Sequence, residues 1–282
     1  MLTTIPCHTR HGISVVSDVV EIGEQARLAL AHSAGVALPL ATFADAPYLE
    51  AAGEIVWVGA RLPALHPRVV VTGAAPPRGI ALMFDPLPQR GWSQPLPQLD
   101  LSMTDSIADA AGRLRRALIG AAIPRGFGNL LAGREPAFPL GIAVRRVRDL
   151  AAAYTRKDIH AVIEVSVALL GFGTGLTPSG DDLVGGALFG HRFITAHDPA
   201  WVKVAHSLSR EIARRSHVIS TALFNDLANG QSFAPLHALA QALADGDDDA
   251  ALRAAREMTE IGHSSGWDMV AGFLIGTTGS LT

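Results

Sequence analysis

Cysteine is nearly absent: Cys7 is the only one in 282 residues. A disulfide within the chain is therefore excluded, and a reducing, cytoplasmic setting is the expectation. Aromatic residues are scarce at 6%, so alanine, leucine and valine carry most of the apolar character. That composition favours helices packed closely through small side chains. Basic runs and stripes are missing, and net charge is −3 with a pI near 6.4. These features argue against a dedicated nucleic-acid binder. Long apolar runs are missing too. The longest at helical spacing, residues 161–170, contains Glu164 and is too short for a bilayer. The first eight residues lack the basic flank and apolar core of a signal peptide, so neither export nor a membrane partner is expected.

What is present is a globular composition, 49% hydrophobic and 17% charged, long enough for one large domain or two ordinary ones. Residues 54–60, 67–73 and 79–85 are short β-branched or aromatic runs bounded by Gly, Pro or acidic residues, and read as strands. Residues 13–22 and 26–31 are weaker strand candidates. Proline-rich punctuation over 86–97 marks a boundary near residue 100. Beyond it the apolar period becomes helical. Helices are expected over 105–122, 140–154, 158–170, 179–196, 199–215, 217–229, 234–244, 248–261 and 265–275. The expected fold class is α+β, with a β-rich part over 1–100 and an all-helical part over 101–282. Asp245-Gly-Asp-Asp-Asp reads as a solvated turn between two helices.

The densest pattern is Gly171-Phe-Gly-Thr-Gly-Leu-Thr-Pro-Ser-Gly-Asp-Asp-Leu-Val-Gly-Gly186. Its alternating glycines, Gly171, Gly173 and Gly175, permit positive φ and close backbone approach to a ligand. Thr177 suits an N-cap and Pro178 the first helical position. The exposed N–H groups that follow, around Ser179 and Gly180, suit a phosphate or carboxylate. Asp181 and Asp182 would repel a bare phosphate. Either magnesium bridges them to it, or one carboxylate caps the helix while the other moves a proton. No other cofactor is indicated. The loop lacks the Gly-Lys-Ser/Thr of a Walker loop, and no predicted strand precedes it as a dinucleotide fingerprint requires.

Residues 265–274 repeat residues 179–188 at an offset of 86: both read Ser-Gly-x-Asp-φ-Val-x-Gly-x-Leu, with φ Leu or Met. Each serine and the aspartate three positions on suit a variant capping box. Two such helix starts facing one pocket would offer Ser179 and Asp182 from one side, and Ser265, Gly266 and Asp268 from the other. The alternative is two similarly capped, closely packed helices without chemistry. Against it, Ile261-Gly-His-Ser-Ser sets His263 and the Ser264 hydroxyl beside the second start. A third segment, Arg214-Arg-Ser-His-Val-Ile-Ser-Thr221, offers a guanidinium clamp for an anion, with Arg214 named and Arg215 equally placed, and Ser220 directed at the pocket. One of these arginines is expected merely to complement a helix dipole. His191, His197, His206 and His237 show no ligand spacing for zinc.

Gly-x-Gly-Leu-Thr-Pro-Ser-Gly-Asp-Asp over 173–182, with Gly-His-Ser-Ser-Gly-x-Asp over 262–268, resembles the bacterial family that contains AllH. AllH is a subunit of the oxamate carbamoyltransferase complex of anaerobic allantoin use, a branch of purine catabolism. The resemblance implies transfer of a carbamoyl group between oxamate and phosphate, a small anionic substrate, and partner subunits. Under it Asp181, Asp182, His263 and Asp268 are the candidate catalytic groups. Gly173, Gly175, Thr177, Ser179, Gly180, Arg214, Ser220, Ser264, Ser265 and Gly266 would bind substrate. Two other readings stay open: a non-catalytic metabolite-binding or scaffolding subunit, and a magnesium-dependent phosphotransferase using Asp181 and Asp182.

Overall fold

The computed structural model describes residues 12–42, 47–195 and 198–281; Cys7 and His197 lie outside them. A β-rich N-terminal region precedes a helical one, so the fold class is α+β. Two compact units divide the chain, Met1–Ser93 and Gln94–Thr282.

The first unit is a seven-stranded mixed sheet. Its strands are β1 (Ile13–Val16), β2 (Val19–Ile22), β3 (Val36–Thr42), β4 (Pro47–Ala51), β5 (Glu54–Gly59), β6 (Val69–Thr72) and β7 (Ala81–Phe84), in spatial order β1-β7-β3-β4-β5-β6-β2. The pairs β1–β7 and β5–β6 are parallel, and the rest antiparallel. The segment 26–31, expected as a strand, lies instead in helix α1 (Glu24–His32). Ala26, Ala29 and Leu30 are buried there at helical spacing and pack into the core with Leu49, Val56 and Val58. Strands β3 and β4 went unread because Pro39 and Pro47 interrupt their apolar runs.

The second unit is built from α2 (Thr104–Ala121), α3 (Val144–Thr155), α4 (Ile159–Leu169), α5 (Ser179–Thr195), α6 (Pro199–Ile212), α7 (Val218–Ala228), α8 (Ala234–Asp245), α9 (Asp248–Thr259) and α10 (Ser265–Thr278). A 3₁₀ segment, Gly126–Ala132, follows α2, and another, Leu140–Ala143, leads into α3. The acidic turn ends α8 with left-handed Gly246, and Asp247 caps α9 by accepting from the Ala250 N–H at 2.8 Å. None of the described helices is long and apolar enough to cross a membrane.

Helices α5 and α10 form the centre of this unit, buried on all faces over most of their length. Glycines let their backbones touch. A Cβ at Gly186 would lie 2.3 Å from the Met269 carbonyl oxygen, and one at Gly272 would lie 2.0 Å from that of Leu183. One turn on, Gly190 meets Phe273 and Gly276 meets Ala187 in the same way. Each pair maps onto the other at the 86-residue offset, so the two helices cross with an internal two-fold relation. The loops before them make a matching contact: Gly180 N–H donates to Phe172 O at 2.8 Å, and Gly266 N–H to Ile261 O at 3.0 Å.

Candidate functional site

The two-fold relation brings the N-termini of α5 and α10 together. Thr177 Oγ1 and Ser265 Oγ share a hydrogen bond of 3.0 Å, and Ser179 Oγ and Ser264 Oγ lie 3.4 Å apart. Helix α5 starts at Ser179, as the expected 179–196 span has it, and Pro178, read as the first helical position, lies just before it, its carbonyl accepting from the N–H groups of Asp181 and Asp182. No capping box forms at α10. Ser265 reaches across to Thr177, and Asp268 Oδ1 accepts from Phe127 N–H at 2.6 Å.

A cleft of about 620 Å³ opens over these helix starts. One wall is the glycine loop, with Gly175, Thr177 and Ser179; a second is Gly262 to Ser265, including His263. The third was not read from the sequence: Arg125, Gly126, Asn129 and the turn at residues 136–140. Arg125 donates to the His263 carbonyl at 3.3 Å, tying this wall to the start of α10. Gly126, at φ +53, sits against the Asp268 carboxyl, where a Cβ would come within 2.2 Å of Oδ1. A signal existed: Gly126-Phe-Gly128 repeats the triplet Gly171-Phe-Gly173.

Beneath the hydroxyls lie Asp182 and Asp268, 4% and 0% exposed, at equivalent positions of the two repeats. Burial raises the Asp182 carboxyl well above the ordinary carboxylate range; the Asp268 charge adds to the rise, and the Ser265 and Thr177 hydroxyls oppose it. Burial pushes Asp268 up to about 7, against the pull of the Phe127 N–H and the Ser179 and Ser264 hydroxyls. Oδ2 of each carboxyl has no hydrogen-bond partner among the described residues.

The remaining sequence candidates lie elsewhere. Asp181 does not line the cleft: its Oδ1 accepts from Gly171 N–H at 2.6 Å, and its Oδ2 from the hydroxyls of Ser216 and Ser220. It is a bracket between the glycine loop and the start of α7, and Ser220 is committed to it. Asp181 and Asp182 point to different partners, so they do not form one metal pair. Arg214 pairs with Glu211 at 2.9 Å and Arg215 with the same carboxylate at 3.4 Å, and neither lines the cleft. The guanidinium on the cleft is that of Arg125. Gly173 and Gly180 shape the loop: a Cβ on Gly173 would meet Ser179 N at 2.7 Å, and one on Gly180 the Leu169 carbonyl at 2.0 Å. Gly266 repeats the latter contact against Met258 O at 1.8 Å. Among the described residues no group of three or more His, Cys, Asp or Glu side chains is placed to hold a metal.

Comparison of the whole chain with curated proteins and with solved structures finds no match. The segment that carries both helix starts, residues 169–277, matches the family model of AllH, described as the oxamate carbamoyltransferase subunit.

Proposed function

We propose that this chain is a subunit of a carbamoyl-transferring enzyme and that its cleft holds a small carboxylate or phosphate substrate of the oxamate and carbamoyl phosphate type. The observation that carries the reading is the convergence of two helix N-termini, their hydroxyls and Arg125 on one cleft, mostly within the segment that matches AllH. The N–H groups of Gly180 and Gly266 are spent on the Phe172 and Ile261 carbonyls, so the helix starts act on an anion chiefly through their dipoles and hydroxyls. The Arg125 guanidinium adds a fork suited to a carboxylate or phosphate.

In the reaction so implied, a substrate nitrogen attacks the carbamoyl carbon, the bond from that carbon to a phosphate oxygen breaks, and the nitrogen gives up a proton. The reverse direction forms carbamoyl phosphate. His263 lines the cleft, and we assign it the exchange of that proton. Thr177, Ser179, Ser264 and Ser265 line the same cleft, and their hydroxyls are the donors we assign to the charge that develops on the carbonyl oxygen. Asp182 and Asp268 lie behind the hydroxyls and act through them as positioning residues.

The test is carbamoyl phosphate-dependent carbamoylation of oxamate by the chain together with carbamoyltransferase subunits from the same genome. Turnover that falls at least tenfold in Arg125→Ala and in His263→Ala supports the reading. Undiminished turnover in both variants, or none in the assembled wild type, overturns it.

A further inference from the structure

Two buried carboxyls with no cation among the described residues acting on either must be neutralised, by a proton or by a bound cation. Asp182 and Asp268 belong to different helices, repel one another, and each leaves one oxygen without a hydrogen bond. The two carboxyls stand at equivalent positions of the α5–α10 pair, whose backbones are fixed against each other by the glycine contacts. Uncompensated charge at such depth is strongly unfavourable.

We propose that Asp182 and Asp268 together hold a hard divalent cation of the magnesium or manganese kind. The Phe127 N–H occupies Asp268 Oδ1, and the side chains bonded to the pair are all oxygen groups: the hydroxyls of Thr177 and Ser265 at Asp182 and of Ser179 and Ser264 at Asp268. Oxygen-only sites of low carboxylate count suit Mg²⁺ or Mn²⁺, which keep some of their water, and not zinc, which takes nitrogen and sulfur. A charge of +2 balances the two carboxylates. It also removes the objection to an anion beside acidic residues, because an anion in the cleft would then face a cation across the hydroxyl layer. The magnesium ligands of the sequence reading, Asp181 with Asp182, are replaced by two residues 86 apart in the chain. The rival occupant is a proton shared by the pair.

The experiment uses the full chain, stripped with EDTA and without any substrate, so its outcome is separate from that of the transfer reaction. Mn²⁺ is titrated and followed by the loss of its free EPR signal, with Mg²⁺ added as competitor. We expect one Mn²⁺ per chain, displaced by Mg²⁺, with affinity at least tenfold weaker in Asp182→Asn and in Asp268→Asn. Asp248→Asn, an exposed acid elsewhere, should leave it unchanged. Should the buried variants not fold by circular dichroism, the Thr177→Val/Ser265→Ala double variant replaces them, with an expected loss of at least threefold. No stoichiometric Mn²⁺ binding by the wild-type chain overturns the proposal, as does binding retained in the folded variants. Displacement by K⁺ and not by Mg²⁺ overturns the divalent assignment.

Discussion

Thr177 Oγ1 and Ser265 Oγ, 88 residues apart in sequence, meet at 3.0 Å where the first turns of α5 and α10 converge. That contact exists because glycines at four equivalent points let the two helices touch backbone to backbone. The geometry of the cleft is thus set by packing well below it.

The first prediction concerns that packing. Gly272→Ala places a methyl 2.0 Å from the Leu183 carbonyl oxygen, where neither backbone can move without separating the helices. Overpacking of this kind costs about 1–3 kcal/mol, more than the helix-propensity gain of replacing glycine by alanine. Gly120→Ala is the matched control: it lies in α2 with nothing within 4 Å of the added Cβ. Urea denaturation should show Gly272→Ala destabilised and Gly120→Ala stabilised by about 0.5–1 kcal/mol. Equal midpoints would show that the close approach does not hold the helices together.

A second prediction separates the two arginine candidates. Arg125 lines the cleft, whereas Arg214 spends its charge on Glu211 at 71% exposure. Arg125→Ala should weaken oxamate or phosphate binding about tenfold, close to 1.4 kcal/mol, when read by calorimetry. Arg214→Ala should leave the dissociation constant within a factor of two, roughly what loss of a surface ion pair implies. The reverse ranking would move the anion site to the start of α7.

How far the sequence disclosed this arrangement can be judged from particular residues. The 86-residue repeat of Ser-Gly-x-Asp was readable, and with it the pairing of two helix starts, because a helix N-terminus that closes on another backbone needs that local pattern. The α+β class was readable from the change of apolar period. Arg125 was not. It is the extended residue that precedes a 3₁₀ segment, and its place on the cleft depends on Gly126 admitting the Asp268 carboxyl. That is a tertiary fact 142 positions distant in the chain. The neighbours Asp181 and Asp182 looked equivalent in sequence. One helical step of about 100° sends one to α7 and the other toward α10.

A third prediction follows for Asp181. Its carboxylate accepts from the Gly171 N–H and from two hydroxyls, so it fastens the glycine loop to α7. Asp181→Asn removes one acceptor oxygen and places an NH₂ against hydroxyl donors. Losing hydrogen bonds to a buried charged group should destabilise the chain by about 2–3 kcal/mol. Limited proteolysis should then cut within residues 171–176 at a rate that scales with that loss. An Asp181→Asn protein with wild-type stability and a protected loop would contradict the bracket role.

The last prediction is a pH dependence centred on two histidines remote from the cleft. Burial depresses His191 to about 4, partly offset by its contact with the Gly276 carbonyl, and burial likewise depresses His237 to about 4. Both are therefore neutral in the folded chain at pH values where an unfolded histidine, titrating near 6.5, is already charged. Between about 6.5 and 4 these two side chains bind more protons in the unfolded state than in the folded one, so their contribution to stability falls as the solution is acidified through that window. Below about 4 this contribution levels off, because both states are protonated; above 6.5 it is fully retained. His191 is packed against Trp201 and Tyr154, with ring centroids 3.6 and 5.5 Å away. His191→Phe keeps an aromatic ring there and removes the titrating group. Asp182 and Asp268, whose raised carboxyls act in the opposite sense over the same range, are common to the wild type and the variant, so the histidine effect is read as a difference. From pH 7 to pH 5 the denaturant midpoint of the wild type should fall relative to that of His191→Phe, and a difference that stays constant with pH would show that His191 does not contribute to the acid response.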